Sequence, residues 1–430
     1  MVINKFNKET VNSAQFKLNM IRGISLFSIL FCACINIQAQ TSKTGVLVIG
    51  NTPGGVAAAI QSARSGAKTI YLTQSLSVNP VFNAEDISFI THIRNYYALK
   101  ARKRTPAADS LIRSEVKLDQ AVNLIKSITD TVKNLSLNHN NVVDGIKKDG
   151  KGWEVRLKGG ERIKADVVVD ATENLSVAVL LGIDNKKTMA IPGNNQDPFE
   201  GKLYRTAVAL AYPGAGTLRT PLPMGSLIPQ VVENFVILPR QIAGLRPVKM
   251  SAGRAAGAIA AYCAFFKTST KNISVRVTQG ELLAFNSLLI PYSDISRDDP
   301  NFMAYQRLGL SGLIKPKLMK DEIRFDTAGT VSHKELQASM KEFYTRSQLW
   351  FADNKNEVLT IEDIISLLMF TAARGNELKK EIEDGWKQSF KLNSTFDPKR
   401  NISRKEFGVL ADKYLQPYNI RVDLAGNLLR

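Results

Sequence analysis

Cysteine and histidine are scarce in this 430-residue chain, three of each. Cys32 and Cys34 lie in an early apolar stretch, so a chain that loses that stretch keeps Cys263 alone and forms no internal disulfide. Cys263 follows an alanine-rich helical run, the setting of a buried, inert thiol rather than a nucleophile. No two of His92, His139 and His333 have metal-ligand spacing, which argues against a histidine-built metal centre. A nucleophile elbow, a paired-histidine zinc helix and a phosphate-loop lysine are missing as well. Charge of one sign is in surplus: 57 Lys and Arg face 39 Asp and Glu, a net +18 that attracts polyanions at long range. The densest basic run, Lys100, Arg102, Lys103 and Arg104, lacks interleaved aromatics and any DNA- or RNA-binding signature. A solvated face, with no nucleic-acid partner, is expected there.

Apolar runs long enough for a permanent membrane span are also lacking. The longest, Ile24 to Ile35, follows Met20-Ile-Arg22 and precedes Asn36-Ile-Gln-Ala39, the basic, apolar, small-residue order of a secretory signal. Residues 1–39 are therefore expected to be a leader cleaved after Ala39, with Met20 an alternative start. No stable transmembrane helix remains after cleavage, and the chain is exported to the periplasm or cell surface. Lipid attachment at Cys34 is disfavoured because Phe31 suits such a signal poorly. Residues 40–44 read as a polar linker.

A strand, tight turn and helix follow. Val46-Leu-Val-Ile49 is apolar and β-branched, Gly50-Asn-Thr-Pro-Gly-Gly55 is the turn, and Val56-Ala-Ala-Ala-Ile60 opens a helix that ends at Gly66. Thr69-Ile-Tyr-Leu72 is a second strand, which completes a βαβ opening of dinucleotide-binding type. Such a turn brings helix N–H groups to a pyrophosphate. Thr52 stands at the middle glycine position, and Gln74 stands near the end of the second strand where an acidic residue normally binds ribose. A neutral acceptor there holds a hydroxyl less strongly than a carboxylate. A turn kept for folding with nothing bound is the competing reading.

From Asn141 the pattern becomes a β-meander, ending in Asp166-Val-Val-Val169 and the turn Asp170-Ala-Thr-Glu-Asn174. Asn234-Phe-Val-Ile-Leu238 then leads through Pro239-Arg240 to Gly253-Arg-Ala-Ala-Gly257. With Val48-Ile-Gly-Asn-Thr-Pro-Gly-Gly-Val-Ala-Ala-Ala59 and Leu222-Pro-Met-Gly-Ser-Leu-Ile-Pro229, these segments resemble the FAD-dependent oxidoreductases with a glutathione-reductase-like Rossmann fold. The resemblance is strongest to a secreted Gram-negative subgroup often labelled "xanthan lyase". It implies FAD as cofactor, with the dinucleotide loop on Gly50, Thr52, Pro53, Gly54 and Gly55 and Gln74 at the ribose. It places the strand end on Asp170, Ala171 and Thr172, Arg240 beside the cofactor, and the flavin-facing helix start at Gly253. Two departures bear on the site: members usually carry Gly where this chain has Glu173 and Pro239. No catalytic acid or base is identifiable.

Beyond about residue 290 the chain turns charged and helical. Val331-Ser-His-Lys-Glu-Leu336, Leu359-Thr-Ile-Glu-Asp-Ile364 and Ile402-Ser-Arg-Lys-Glu-Phe407 repeat one pattern, a hydroxyl cap with an acid three residues on. Ser332 with Glu335 and Ser403 with Glu406 fit a capping box, and Thr360 with Asp363 approximates one. The region resembles S-layer-homology repeats, which implies a module that holds a surface glycan; a plain helical cap on the first domain is the alternative.

The expectation is thus an α/β chain: a FAD/NAD(P)-binding Rossmann-type domain with a β-meander over 44–280, then a mainly helical domain over 290–430. Its function is that of an exported FAD-dependent oxidoreductase on a small polar or saccharide-derived substrate. The alternative is a non-catalytic glycan-binding protein on a decayed flavoenzyme scaffold.

Overall fold

The computed structural model describes residues 41–73, 132–139, 142–183, 197–214, 216–242 and 244–429. The leader, the basic run at 100–104, His92 and Gln74 lie outside the described residues.

Within them the chain is mixed α/β around a largely parallel sheet. Strand β1 (Thr41–Ile49) pairs in parallel with β2 (Thr69–Thr73) on one side and β6 (Arg162–Asp170) on the other, and β3 (Leu135–His139) extends the β2 edge. The meander β4 (Val143–Asp149), β5 (Gly152–Leu157) and β6 is antiparallel, giving the order β3-β2-β1-β6-β5-β4. One strand serves both motifs because its halves differ. The lower half of β6 pairs with β5 and alternates in burial, while its upper half, fully buried, pairs in parallel with β9 (Phe235–Ile237). Thr41–Thr44, expected as linker, are strand instead. Their backbone pairs with Arg162–Ala165, and the Thr44 hydroxyl donates to the Lys68 carbonyl at 2.8 Å, so tertiary pairing overrides their polar character.

Alternation along the strands builds two cores, one per face. Val46, Val48, Tyr71, Val167, Val169 and Val236 face one side. Leu47, Ile49, Ile70, Leu72, Val168, Phe235 and Ile237 face the other, with Trp153 over the meander end. On the first face lie α1 (Pro53–Arg64) and α3 (Lys249–Phe266); on the second lies the short α2 (Ser176–Leu180). Helices α1 and α3 are rich in alanine and glycine, so they approach until a β-carbon at Gly253 would collide with the Gly54 carbonyl, and one at Gly257 with that of Ala58. A three-stranded antiparallel sheet, β10-β7-β8 (Leu245–Pro247, Ala207–Pro213, Thr220–Pro223), and α4 (Val275–Ala284) pack beyond α3.

The carboxy-terminal region holds α5 (Phe302–Ser311), a small hairpin β11–β12 (Lys317–Met319, Glu322–Arg324), α6 (His333–Phe343), α7 (Ser347–Asp353), α8 (Ile361–Thr371), α9 (Glu377–Gly385) and α10 (Arg404–Tyr414). The three repeated segments close a ring. His333 N–H donates to the Glu357 carbonyl (3.0 Å), Ile361 to Arg400 (3.0 Å) and Arg404 to Gly329 (2.7 Å), each segment handing one bond to the next. Val331, Leu359 and Ile402, at the same place in each repeat, are buried. Thr360 and Ser403 form complete capping boxes with Asp363 and Glu406. Ser332 accepts from the Glu335 N–H, but Glu335 does not reciprocate, because its carboxylate is taken by the buried Arg404.

The first core runs unbroken from Val46 through α3 and α4 to Val422, so the two regions are welded. Buried Arg205 adds a bidentate pair to Glu342 in α6 (2.8 and 2.7 Å), and Arg276 donates to the carbonyls of Ile420 and Leu310.

Candidate functional site

At the carboxyl ends of the parallel strands the hydrogen-bond ladder runs one residue past the sheet. Gly50 N–H donates to Leu72, Ala171 to Ile49 and Leu238 to Asp170, which aligns four strand ends in one row. The chain leaves β1 towards β2 on one side and reaches β6 on the other, so a crevice opens above β1, the place where open α/β sheets take ligands.

Gly50 makes the first turn at φ 135°, and a β-carbon there would overlap the Ala171 backbone. Thr52 caps α1: its hydroxyl accepts from Gly55 N–H at 3.1 Å and donates to the Ala171 carbonyl at 2.9 Å. It thereby ties the glycine turn to the β6 turn. Pro53 sits at the first helical position, where its missing N–H costs nothing. Gly55 lies behind, and a β-carbon on it would press on Ala171 at 3.1 Å.

Asp170 lies under the crevice, not in it. Oδ1 accepts from the N–H (3.0 Å) and hydroxyl (2.6 Å) of Thr172, and Oδ2 from Ala178 N–H at 2.8 Å. Burial pushes its carboxyl above the usual range, against the pull of these bonds. Leu175, at φ 51°, turns the chain into α2. Asp170 therefore positions Thr172 and its neighbours. Gly253 is likewise displaced from the role expected of it: α3 starts at Lys249, and Gly253 sits a turn further on, against Gly54. Residues 249–252 continue the helix because nothing in them stops it.

The crevice has two lobes. The first, about 430 Å³, has an apolar floor of Ile49, Leu72, Val142, Val143, Val177 and Leu180 and a polar rim that includes Asn51 and Ser176. The second, about 300 Å³, lies between the starts of α1 and α3, lined by Thr52, Gly54, Tyr212, Arg240, Arg246 and Lys249. Thr172 and Glu173 line both lobes and join them. Arg240 pairs with Glu173 at 2.5 Å. Arg246 is braced by the Gly214 carbonyl (2.6 Å) and lies over the Tyr212 ring at 5.7 Å. Lys249 has no ion-pair partner among the described residues. Among the described residues the first lobe holds no cation, whereas the second holds three.

Of the residues expected at a cofactor, Gly50, Thr52, Gly54, Thr172 and Arg240 line the crevice; Pro53, Gly55, Asp170 and Ala171 support it. Tyr212, Arg246 and Lys249 escaped the sequence reading, since only the β10-β7 pairing brings them to α1, and no local pattern marks them. Cys263 is buried, its thiol pushed up to about 12 by desolvation. His333 bonds the Asn354 carbonyl through Nε2 at 2.8 Å. Among the described residues no group of three or more metal-binding side chains assembles, and no helix is long and apolar enough to cross a membrane.

No protein-family model matches the chain, and no curated protein matches it. Several solved structures show partial likeness. A p-nitrophenol 4-monooxygenase from Pseudomonas putida aligns over 33% of this chain and 43% of its own, at 16% identity and a TM-score of 0.25. The flavin-dependent monooxygenase PieE, solved with FAD and substrate, aligns over 33% and 32% at 13% identity and 0.26. A thioredoxin reductase from Gloeobacter violaceus aligns over 36% and 38% at 15% identity and 0.21. The chain thus covers well under half the length of each.

Proposed function

We propose that this chain is an exported FAD-binding protein of oxidoreductase type, acting on a small polar or saccharide-derived substrate. One observation carries the reading: two lobes at the strand switch point, one apolar with a polar rim and one cationic, share the wall Thr172–Glu173. A dinucleotide has the matching order, a nucleoside next to a pyrophosphate. The residues fit such a group. Gly50, Asn51 and Val177 would hold the nucleoside; Gly54, Arg240 and Lys249 would face the phosphates, with the start of α1 adding its positive end. Bound FAD would supply hydride-transfer chemistry, and the chain's own part is to bind, orient and shield it. Purified protein incubated with FAD and desalted should retain yellow absorbance and unfold at a higher temperature. Retention of neither would remove the flavin reading. Export is tested by N-terminal sequencing of envelope protein, which should begin near Gln40.

A second reading rests on the closed ring of three repeats. Its resemblance to S-layer-homology repeats favours a surface-associated, glycan-holding role on a flavoenzyme scaffold. Retention on immobilised cell-envelope polysaccharide, with no bound flavin, would favour it over the first.

A further inference from the structure

The junction between the two lobes carries a charge that works against the ligand the lobes otherwise suit. Among the described residues Glu173 is the single carboxylate in the lining of either lobe, and it stands at the wall they share. Its carboxylate holds Arg240, one of the three cations of the second lobe. A ligand laid through both lobes brings its phosphates to that neck. There it meets a negative charge and an arginine already engaged.

We propose, resting on the dinucleotide reading of this crevice, that Glu173 is a specificity-determining charge gate, a built-in carboxylate that holds Arg240 in place of a phosphate and must be displaced before a phosphate-bearing ligand seats. Three observations bear on how strong the gate is. Both side chains are substantially exposed, 68% for Arg240 and 44% for Glu173, so the pair is loose enough to open. Asp170 and Thr172 hold the base of the turn rigidly through their mutual bonds, so Glu173 swings from a fixed backbone. Arg246 is braced by backbone carbonyls and Lys249 is unpaired among the described residues, so the second lobe stays cationic when the gate is closed. The gate therefore discriminates by charge. A neutral nucleoside in the first lobe carries no charge that competes for Arg240, whereas a nucleotide has to compete with the ion pair.

The test is binding of adenosine, ADP and FAD to the full chain and to E173Q and R240Q, by calorimetry at low and high salt. Both substitutions fall on exposed side chains, and apo unfolding curves verify that each variant folds. The expected result is that E173Q binds ADP and FAD about three- to tenfold more tightly than the unmodified chain, with adenosine unchanged. The gain should shrink at 0.5 M salt, where screening reaches about 4 Å or less. R240Q should weaken ADP. Should the unmodified chain bind ADP and E173Q bind it equally or less well, the gate is wrong while the nucleotide site stands, and weaker binding would make Glu173 a direct ligand contact. An equal gain for adenosine also overturns the gate, because the effect would not be one of charge. If no variant binds adenosine, ADP or FAD, the nucleotide reading itself fails and the gate with it.

Discussion

Thr52 performs two tasks with one hydroxyl, capping α1 through Gly55 N–H and bonding the Ala171 carbonyl across the crevice floor. Thr52→Ala should therefore lower stability by about 1 kcal/mol, whereas Thr52→Gly should cost only a few tenths from the lost cap. Urea unfolding of the two variants checks this, and equal losses would mean that the cap bond is not what matters. Gly50 is less forgiving. Its φ of 135° and the Ala171 backbone beside it leave no space for a β-carbon, so Gly50→Ala should destabilise by more than about 2 kcal/mol and remove ligand binding. A Gly50→Ala protein with unchanged melting temperature would contradict that geometry.

At the scale of elements, the ring of three repeats depends on one buried side chain. Arg404 is fully buried, donating to the Phe325 carbonyl (2.9 Å), the Lys315 carbonyl (2.8 Å) and Glu335 (2.5 Å). Arg404→Leu strands the two carbonyls in the interior and frees the part-exposed Glu335, and should cost about 1–3 kcal/mol, read as a fall in the denaturation midpoint; a loss under about 0.5 kcal/mol would show that the acceptors find other donors. The junction of α6 with the α/β region has a pH signature. The Arg205 guanidinium holds the Glu342 carboxyl down at about 2, against an ordinary 4.5. The unfolded chain therefore takes up this proton at higher pH than the folded one, so the pair's contribution is complete above about pH 4.5 and is lost as pH falls through about 2. Between those limits the melting temperature of the unmodified protein should fall more steeply than that of Glu342→Gln, and parallel curves would reject the assignment.

For the whole molecule, the unbroken core from Val46 to Val422 predicts that the α/β region and the helical region unfold as one cooperative body. Calorimetry should give a single unfolding transition, with fluorescence and circular dichroism curves coinciding. Two resolved transitions would mean that the shared core couples the regions weakly. The same continuity implies that the helical region expressed alone would lose the Arg205 pair to Glu342 and the Arg276 bonds to the Leu310 and Ile420 carbonyls.

What the sequence by itself determined is what short-range physics controls. The β-branched run before Gly50, the glycine turn after it, the meander turns and the three hydroxyl-led helix starts all act within a few residues and stand where their local patterns placed them, while β1 begins earlier, at Thr41, and α1 at Pro53 rather than Val56. The tertiary structure decided what meets what. Gly253 lies inside α3 against Gly54 because two small-residue helices close on each other, and a helix start written in residues 249–252 carries no strong stop or cap to announce it. Asp170 faces its own turn rather than a ligand, since burial at the strand end leaves its oxygens only backbone and hydroxyl donors to satisfy. Glu173 and Arg240 become partners, and Tyr212, Arg246 and Lys249 become one cationic wall, only when β6, β9, β10 and α3 end side by side. A charge in the sequence shows its sign but not its neighbour, and in this crevice the neighbours set the chemistry.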